Sequence, residues 1–190
     1  MSETLWLERN MERSVDEDAR LVTAARDDPA AFKPVYDRWL PRVYRYFYFR
    51  VGNEKDAEDL TSQVFLQVCE ALPRYRNSAR FSTWLFTIAH SRMVDFYRRK
   101  RPEIELENAA QMPSPEVMVS GIDRQEEIGQ VISLLRRCTS EEQELIRLRF
   151  FADLNYAEIG VILHKREDAV RKATTRLIQR LQAQAEVDCD

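Results

Sequence analysis

Residues able to contact nucleic acid are concentrated between Arg74 and Arg101. This stretch holds eight basic residues against one acid, Asp95, and aromatic rings lie between the charges. Cations can follow a phosphate backbone, and rings offer flat faces on which unpaired bases stack with little sequence preference. The pattern therefore indicates contact with single-stranded or opened nucleic acid. An amphipathic helix with a ring-rich core and a solvated basic end would explain the same composition.

A second basic segment lies near the C-terminus. A capping signature at Asn155–Glu158 predicts a short helix, and a break at His164–Arg166 separates it from a longer one. Two helices joined by a tight break, the second basic on its outer face, form the helix-turn-helix pattern of DNA-binding proteins. Arginine can fork onto a guanine edge, and threonine can touch a thymine methyl or a phosphate. The alternative is a solvated face on a C-terminal helix. The apolar stripe of this longer helix is predicted at Val170, Ala173, Leu177 and Leu181.

A third candidate surface lies on the helix predicted from Glu54 to Leu72. One face is apolar, whereas the opposite face is polar except for Leu66. An apolar side chain with a polar rim is a common form of protein-docking site, although a single exposed leucine is also commonplace. The predicted docking residues are Asp59, Ser62, Gln63 and Leu66.

The elements that must position these residues are helices. Apolar residues recur at helical spacing through most of the 190 residues, and the chain has only four glycines and no sustained alternating pattern. We therefore predict an all-α fold with two small helical domains joined by a flexible acidic linker. The predicted boundaries are an N-terminal extension over 1–15, a first domain over 16–101, a linker over 102–124 and a second domain over 125–185.

Glycine, proline and small polar residues predict where individual helices begin and end. Pro41 is expected to restart a helix, since proline is favoured in the first turn. Gly52 is expected to stop a helix, and Asn53 to cap the next one. Near residue 140, Thr139–Gln143 contains a further capping box.

The acidic, histidine and cysteine residues considered as candidates give no sign of catalysis. Asp95 is expected to pair with Arg92 or Arg99, which lie three and four residues away on the same helix. His90 has no cysteine, histidine or acid at metal-binding spacing, and we expect a surface histidine. The three cysteines are scattered singly, at Cys69, Cys138 and Cys189. We predict no catalytic residue, no metal and no cofactor.

Charge, hydropathy and cysteine usage indicate the cellular compartment of this protein. The net charge of −3 is the sum of basic and acidic blocks that alternate along the chain. The basic stretch from Arg74 to Arg101 is followed by an acidic segment, Pro102 to Glu127, with seven acids and a single basic residue, Arg124. No apolar run approaches the length of a membrane span, and the N-terminus lacks a basic, then apolar, signal. Single reduced thiols fit a cytosolic protein. We predict a cytoplasmic protein without membrane insertion.

The order of these motifs resembles the extracytoplasmic-function (ECF) sigma factors of the bacterial sigma-70 family. Asp56–Thr61, Val64–Leu66 and Phe81–Leu85 with the basic end that follows resemble domain 2 of that family. Leu148–Phe150 and Asn155–Ile159, together with Val170-Arg171, resemble its domain 4. The resemblance extends over nearly the whole chain. The chain differs from the common family pattern at Ser62-Gln63, where a Gln-Glu pair is usual, and at His164-Lys165-Arg166, where Gly-Ile-Ser is usual.

The resemblance implies a promoter-specificity subunit of RNA polymerase. Its partners would be core polymerase through the β and β′ subunits, promoter DNA and an anti-sigma factor. The face around Leu66 would dock on the polymerase clamp, and the loop from Arg74 to Phe81 would capture a base flipped from the −10 element. The implied −10 residues are Arg74, Tyr75, Arg76, Asn77, Ser78, Arg80, Phe81, Trp84, Arg98 and Arg99. The implied −35 residues are Arg149, Arg166, Arg171, Lys172, Thr175 and Arg176.

Two other functional classes fit the sequence less well. A stand-alone helix-turn-helix regulator would use only the C-terminal segment, and would leave the ring-rich basic stretch and the face around Leu66 without a role. An enzyme would need a phosphate-binding glycine loop, a metal cluster or an activated nucleophile, and the sequence shows none of these.

Overall fold

The computed structural model describes residues 17–76, 80–104 and 137–188, and the regular structure in these three ranges is helical. The first unit contains four α-helices: α1 (17–27), α2 (Lys33–Val51), α3 (Glu54–Ala71) and α4 (Phe81–Ile104). The second unit contains α5 (Ser140–Ile146), α6 (Tyr156–Leu163) and α7 (Glu167–Asp188). Short 3-10 turns occupy Pro29–Phe32 and Leu72–Arg74, and a π-helical turn at Arg147–Phe151 extends α5. The predicted all-α class with two domains is confirmed. The predicted extension at 1–15 and residues 105–124 of the predicted linker lie outside the described residues.

The helix ends follow the predicted caps. Gly52 has a φ of 86°, which a residue without Cβ adopts at little cost, and its N–H donates to the Tyr48 carbonyl at 3.1 Å. Asn53 then accepts a hydrogen bond from the Asp56 N–H at 2.8 Å and begins α3. Thr139 and Asn155 form complete capping boxes at the starts of α5 and α6. These local signals are confirmed.

The predicted restart at Pro41 is wrong, because α2 runs without interruption from Lys33 to Val51. A proline inside a helix removes one backbone hydrogen bond. Trp39 and Val43, on either side of Pro41, are both buried in the core. Burial of the same helical face before and after the proline keeps the two halves in one helix.

The main hydrophobic core spans both units, and a smaller buried cluster of Cys138, Ile146 and Leu177 lies within the second unit. Tyr46, Phe47 and Phe86 of the first unit belong to the same buried cluster as Leu148 and Ile159 of the second. In the contacts between the units, α6 packs on α4, and the π-helical turn packs on α2. The separation into two domains that the sequence predicts therefore coexists with close packing between them.

The apolar stripe of α7 differs from the prediction at one position. Val170 and Leu177 are buried as predicted, but Ala173 is exposed and Thr174 is fully buried instead. Residues three and four positions along a helix lie on nearly the same face, so the period alone allows either residue. The Thr174 hydroxyl donates to the Val170 carbonyl at 2.9 Å, which satisfies its polar group in the core.

Candidate nucleic-acid and protein interfaces

The outer face of α3 carries the predicted docking residues. Leu66 is 65% exposed, and the side chains that surround it on this face are exposed as well. Leu60, Val64 and Val68 lie on the opposite face and are buried. The predicted division of this helix into a core face and an outer face is therefore confirmed. Asp59, Ser62 and Gln63 are the exposed polar neighbours of Leu66.

Three aromatic rings meet where the predicted −10 loop joins α4. The ring centroids of Tyr75 and Trp84 are 4.7 Å apart, and those of Phe81 and Trp84 are 5.7 Å apart. Tyr75 and Phe81 are only 8% and 5% exposed, so their rings support the surface from below. This corrects the expectation that both rings offer an open face to a base. Trp84 is half-buried and is the ring of this cluster that reaches the surface.

Exposed cations surround the ring cluster and follow α4. Arg74, Arg76 and Arg80 are exposed beside the rings, whereas Asn77 and Ser78 lie outside the described residues. Arg98 and Arg99 are exposed near the other end of α4. Their position on one helix with Trp84 is compatible with a path for a phosphate backbone.

The ion pairs of α4 differ in detail from the prediction. Asp95 pairs with Arg98 at 3.0 Å rather than with Arg92 or Arg99. Arg92 donates instead to the Gln67 side chain on α3, at 2.8 Å. On a helix, an acid can pair with a basic residue three or four positions away. Because α3 packs against α4, the Arg92 side chain is directed to Gln67 of α3 and not to Asp95.

The predicted helix-turn-helix is formed by α6 and α7. His164 makes the turn in the left-handed region, with φ 54° and ψ 41°, at a position where glycine is absent. Gly160 has a role that the sequence analysis missed: a Cβ at this position would lie 2.7 Å from the Lys165 carbonyl oxygen. The lone glycine inside an apolar helical segment was the available signal for this close approach.

All but one of the predicted −35 residues are exposed on α7 or just before it. The exception, Arg149, lies in the π-helical turn that follows α5. Arg166, Arg171, Lys172, Thr175 and Arg176 are exposed. Arg149 is half-buried: its Nη1 donates to the Leu154 carbonyl at 2.9 Å, and its guanidinium lies 5.3 Å from the centroid of the Tyr156 ring. Arg149 therefore supports the start of α6 in this structure.

A buried polar group that the sequence did not predict connects the two units. Glu144 of α5 accepts a hydrogen bond from the Tyr46 hydroxyl at 2.7 Å and lies 3.1 Å from Nδ1 of His90. Its other oxygen accepts from Arg147 at 3.0 Å. The expectation of a surface histidine is wrong, because His90 is half-buried and its acidic partner comes from the second unit, 54 residues away in sequence.

Electrostatics keep Glu144 ionised. Burial alone would raise the pKa of Glu144, but the hydrogen bonds from His90 and Tyr46 and the charge of Arg147 outweigh it and lower the pKa to about 2. Burial lowers the pKa of Arg147 below its usual range, although the charge of Glu144 opposes this shift. The contact between the units therefore contains a buried ion pair.

We expect Glu144 to contribute to the acid sensitivity of folding. Because its pKa is lower in the folded state, its contribution is complete above the unfolded pKa of 4.5 and is lost as the pH falls from there towards about 2. Over this range the parent should lose about 2–3 kcal/mol that Glu144→Gln does not lose, measured by urea unfolding at each pH. The exposed Glu141→Gln is the matched control and should follow the parent. Equal pH dependence of parent and Glu144→Gln would contradict the lowered pKa.

The second polar contact between the units involves Glu158 of α6. One of its carboxylate oxygens accepts hydrogen bonds from Ser82, at the first turn of α4, and from Thr83 at 3.4 Å. Its other oxygen completes the capping box with the Asn155 N–H at 2.9 Å. Glu158 therefore joins the first turn of α6 to the first turn of α4, next to Phe81 and Trp84.

Two other kinds of feature, a membrane span and a metal site, are absent from the described ranges. None of the helices there is both long and apolar enough to cross a membrane. No group of three or more His, Cys, Asp or Glu side chains in the same residues could hold a metal ion.

Residues 35–103 match the family model for sigma-70 region 2, and residues 134–183 match the model for sigma-70 region 4. The ECF RNA polymerase sigma factor BldN of Streptomyces coelicolor is 32% identical over 155 residues, which are 80% of this chain and 59% of BldN. The ECF RNA polymerase sigma factor SigW of Bacillus subtilis is 25% identical over 80% of this chain and 94% of SigW.

Solved structures share the fold over both units. CnrH in complex with the cytosolic domain of CnrY matches with a TM-score of 0.63 and 22% identity, over 90% of this chain and 98% of that one. The sigma factor RpoE in complex with the anti-sigma factor NepR from Bartonella quintana matches with a TM-score of 0.61 and 18% identity, over 83% and 98% of the two chains. At these identities the likeness shows the fold.

Proposed function

The chain belongs to the ECF group of sigma-70 RNA polymerase sigma factors, and we propose that it directs core polymerase to specific promoters. The observation that carries this proposal is the presence of three exposed surfaces on one chain. These are the face around Leu66, the basic surface backed by rings at the start of α4, and the basic outer face of α7. A stand-alone DNA-binding regulator needs only the last of them.

The proposed mechanism uses binding energy rather than catalysis. The outer face of α7 reads the −35 element in the major groove, where arginine side chains can distinguish guanine edges. The start of α4 holds opened −10 DNA, where unstacking a base costs a few kcal/mol that the contacts must offset. Exposed Arg74, Arg76 and Arg80 supply cations for the phosphates, and Trp84 supplies a ring for stacking. Core polymerase synthesises the RNA, and this chain selects the promoter at which synthesis begins.

We also propose regulation by an anti-sigma factor and activity in the cytoplasm. Two similar chains were solved in complexes, CnrH with the cytosolic domain of CnrY and RpoE with the anti-sigma factor NepR. Transcription takes place where DNA and polymerase are, and no described helix of this chain is suited to span a membrane. Copurification from the native cell with a protein that blocks polymerase binding would support this part of the proposal.

Runoff transcription tests the proposal directly. Purified core polymerase with this chain should produce discrete transcripts from a library of genomic promoter fragments, and core polymerase alone should not. Pull-down of core polymerase is the accompanying binding test. A chain that binds promoter duplex as a dimer, yet neither binds polymerase nor supports a transcript, would instead be a stand-alone regulator.

Arg171→Ala tests the −35 surface. We expect a loss of about 1–3 kcal/mol of promoter binding with relaxed preference at one base pair if Arg171 forks onto a base, or a uniform loss if it contacts phosphate. Arg171 is exposed and pairs with Glu167 on its own helix, so the fold should tolerate the change. The measurement is the affinity of the polymerase–sigma complex for promoters substituted across the −35 element.

Arg20→Ala provides the control for Arg171→Ala. It removes the same charge from an exposed site on α1. Promoter binding by this variant should equal that of the parent. Unchanged binding of Arg171→Ala to every promoter would remove this residue from the site.

A further inference from the structure

Three consecutive basic residues near the end of α4 have different partners. Arg98 pairs with Asp95 of its own helix at 3.0 Å, and its side chain remains 74% exposed. Arg99 is exposed and forms no ion pair with the described residues. Lys100 instead pairs with Asp56 of α3, with 2.6 Å between its Nζ and Oδ2 of the carboxylate. The charge of Lys100 is therefore directed at another helix of the chain, whereas those of Arg98 and Arg99 face solvent.

Two further side chains surround this ion pair. The Lys100 ammonium lies 4.6 Å from the centroid of the Phe96 ring, one turn earlier on α4, at a distance that allows a cation–π contact. The same carboxylate oxygen of Asp56 accepts a hydrogen bond from the Asn53 side-chain amide at 2.9 Å. Asn53 in turn caps α3 by accepting from the Asp56 N–H. Both charged groups are partly buried, so this pair is held more firmly than an isolated pair in solvent.

Electrostatics keep the Asp56 carboxyl ionised. Burial alone would raise its pKa, but the hydrogen bonds from Lys100 and Asn53, together with the charge of Lys100, outweigh burial and lower the pKa below its usual range. At neutral pH the carboxylate therefore offsets the charge of one cation at the end of α4. Lys100 and Asp56 together add no net charge to the surface beside Arg99.

A cleft between α3 and α4 shows where the Lys100 ammonium would lie without this partner. Asp56, Arg99 and Lys100 all line the cleft, which has a volume of about 140 Å³. Arg99 is one of the residues that we assign to −10 DNA. Because lysine has a long, flexible side chain, a Lys100 ammonium released from Asp56 could reach phosphates bound at Arg99. Loss of the ion pair would therefore add a cation to the DNA-contacting surface.

An added cation at this surface would change binding to DNA of every sequence. Contacts with phosphate carry no sequence information, and each one makes binding stronger and more dependent on salt. In a cell, promoter sites compete with a large excess of other DNA. A lysine withheld from phosphate therefore reduces the share of the protein that is held on DNA without the correct bases.

We propose that Asp56 is a positioning residue that withholds Lys100 from nucleic acid and so limits sequence-independent binding at the end of α4. Asp56 itself touches no DNA and acts only through Lys100. Its effect on the number of phosphate contacts is a property of the chain, whereas the advantage for promoter selection rests on the proposed function.

The salt dependence of binding to a single strand tests this proposal. The full-length chain is titrated with a short single-stranded oligonucleotide of mixed sequence at several salt concentrations. Asp56→Asn keeps the size of the side chain, but a neutral amide holds an ammonium more weakly than a carboxylate does. The plot of log affinity against log salt should become steeper by about 0.7, the contribution of one phosphate contact. Between about 50 and 200 mM salt, the variant should lose about 2–3-fold more affinity than the parent.

Lys100→Gln identifies the residue through which Asp56 acts. Alone it should leave the slope at the parental value, because Lys100 is already paired within the protein. Combined with Asp56→Asn, it should return the slope of that variant to the parental value. Glu58→Gln is the matched control. It removes an acid from an exposed site of α3 that has no ion pair among the described residues, and it should leave the slope unchanged.

Several results would overturn the proposal. A lower slope for Lys100→Gln alone would show that Lys100 contacts DNA in the parent. A parental slope, or no binding at low salt, for an Asp56→Asn chain with parental helix content by circular dichroism would show that the released lysine adds no contact. Lys100→Gln leaves the cap of α3 intact, so its slope decides the question if Asp56→Asn loses helix content.

Runoff transcription separates this inference from the proposed function. We expect transcripts with the parental chain and a steeper slope for Asp56→Asn only. A parental chain that supports no transcript would remove the proposed function, while the slopes of the free chain would still decide the role of Asp56. Transcription by the parent together with parental slopes in every variant would leave the proposed function intact and overturn the inference.

Discussion

Leu66→Arg should lower the affinity of this chain for core RNA polymerase by about 30-fold or more, since a central apolar contact of an interface contributes about 2 kcal/mol or more. The substitution places a charge where the partner would provide an apolar site. Leu66 is 65% exposed, whereas the core face of the same helix is buried, so the fold should not change. Titration of labelled chain with core polymerase measures the affinity, and far-ultraviolet circular dichroism measures helix content.

Val161→Arg is the matched control for this experiment. Val161 is an exposed apolar residue, 59% accessible, on α6 rather than α3. It receives the same charge at a similar exposure and should bind polymerase as the parent does. Unchanged binding by Leu66→Arg, or unfolding of that variant, would contradict the assignment of α3 as the docking helix.

The division of α3 could be predicted from the sequence because the information is local. A period of 3.6 residues places Leu60, Val64 and Val68 on one side, and the isolated Leu66 on the other. The beginning of the helix is equally local, because Asn53 accepts from a backbone N–H only three residues away. Such features do not depend on how the helix packs against distant parts of the chain.

The polar contact between the units could not be predicted in the same way. Tyr46 and Glu144 are 98 residues apart, and nothing in the neighbourhood of either residue specifies the other. His90 was expected on the surface because no acid lies near it at a useful spacing. The hydrogen-bond partners of a half-buried histidine or a buried carboxylate are set by tertiary packing. Here they depend on how the two units pack together.

The prediction from the sequence was wrong at single positions where helical periodicity or residue type was compatible with two structures. The helical period allows either Ala173 or Thr174 in the stripe of α7, and apolar character favoured alanine. The structure buries Thr174 because its hydroxyl has a backbone partner within its own helix. The restart at Pro41 was predicted because proline is favoured in the first turn of a helix, but packing on both sides of the proline outweighs the loss of one hydrogen bond.

Replacement of Asn77 and Ser78 by alanine should slow promoter opening by roughly 5-fold or more while leaving polymerase binding unchanged. A loop that captures a flipped base needs short amide or hydroxyl groups for the base edge, and the loss of such contacts costs about 1–3 kcal/mol. In the sequence the two residues fall between Arg76 and Arg80, which are both exposed, and Tyr75 just before them packs on Trp84 with ring centroids 4.7 Å apart. Permanganate reactivity of unpaired thymines measures opening directly.

A template that is already mismatched at the −10 element distinguishes base capture from a structural role of the loop. If Asn77 and Ser78 hold the flipped base, part of the cost of unstacking is removed on this template, and the defect should shrink. If they only shape a turn, the double variant should unfold at a lower temperature and be impaired equally on every promoter, because turn residues act through stability. Thermal unfolding of the variant therefore accompanies the opening assay. Parental opening of fully paired DNA by the double variant would exclude base capture by these two residues.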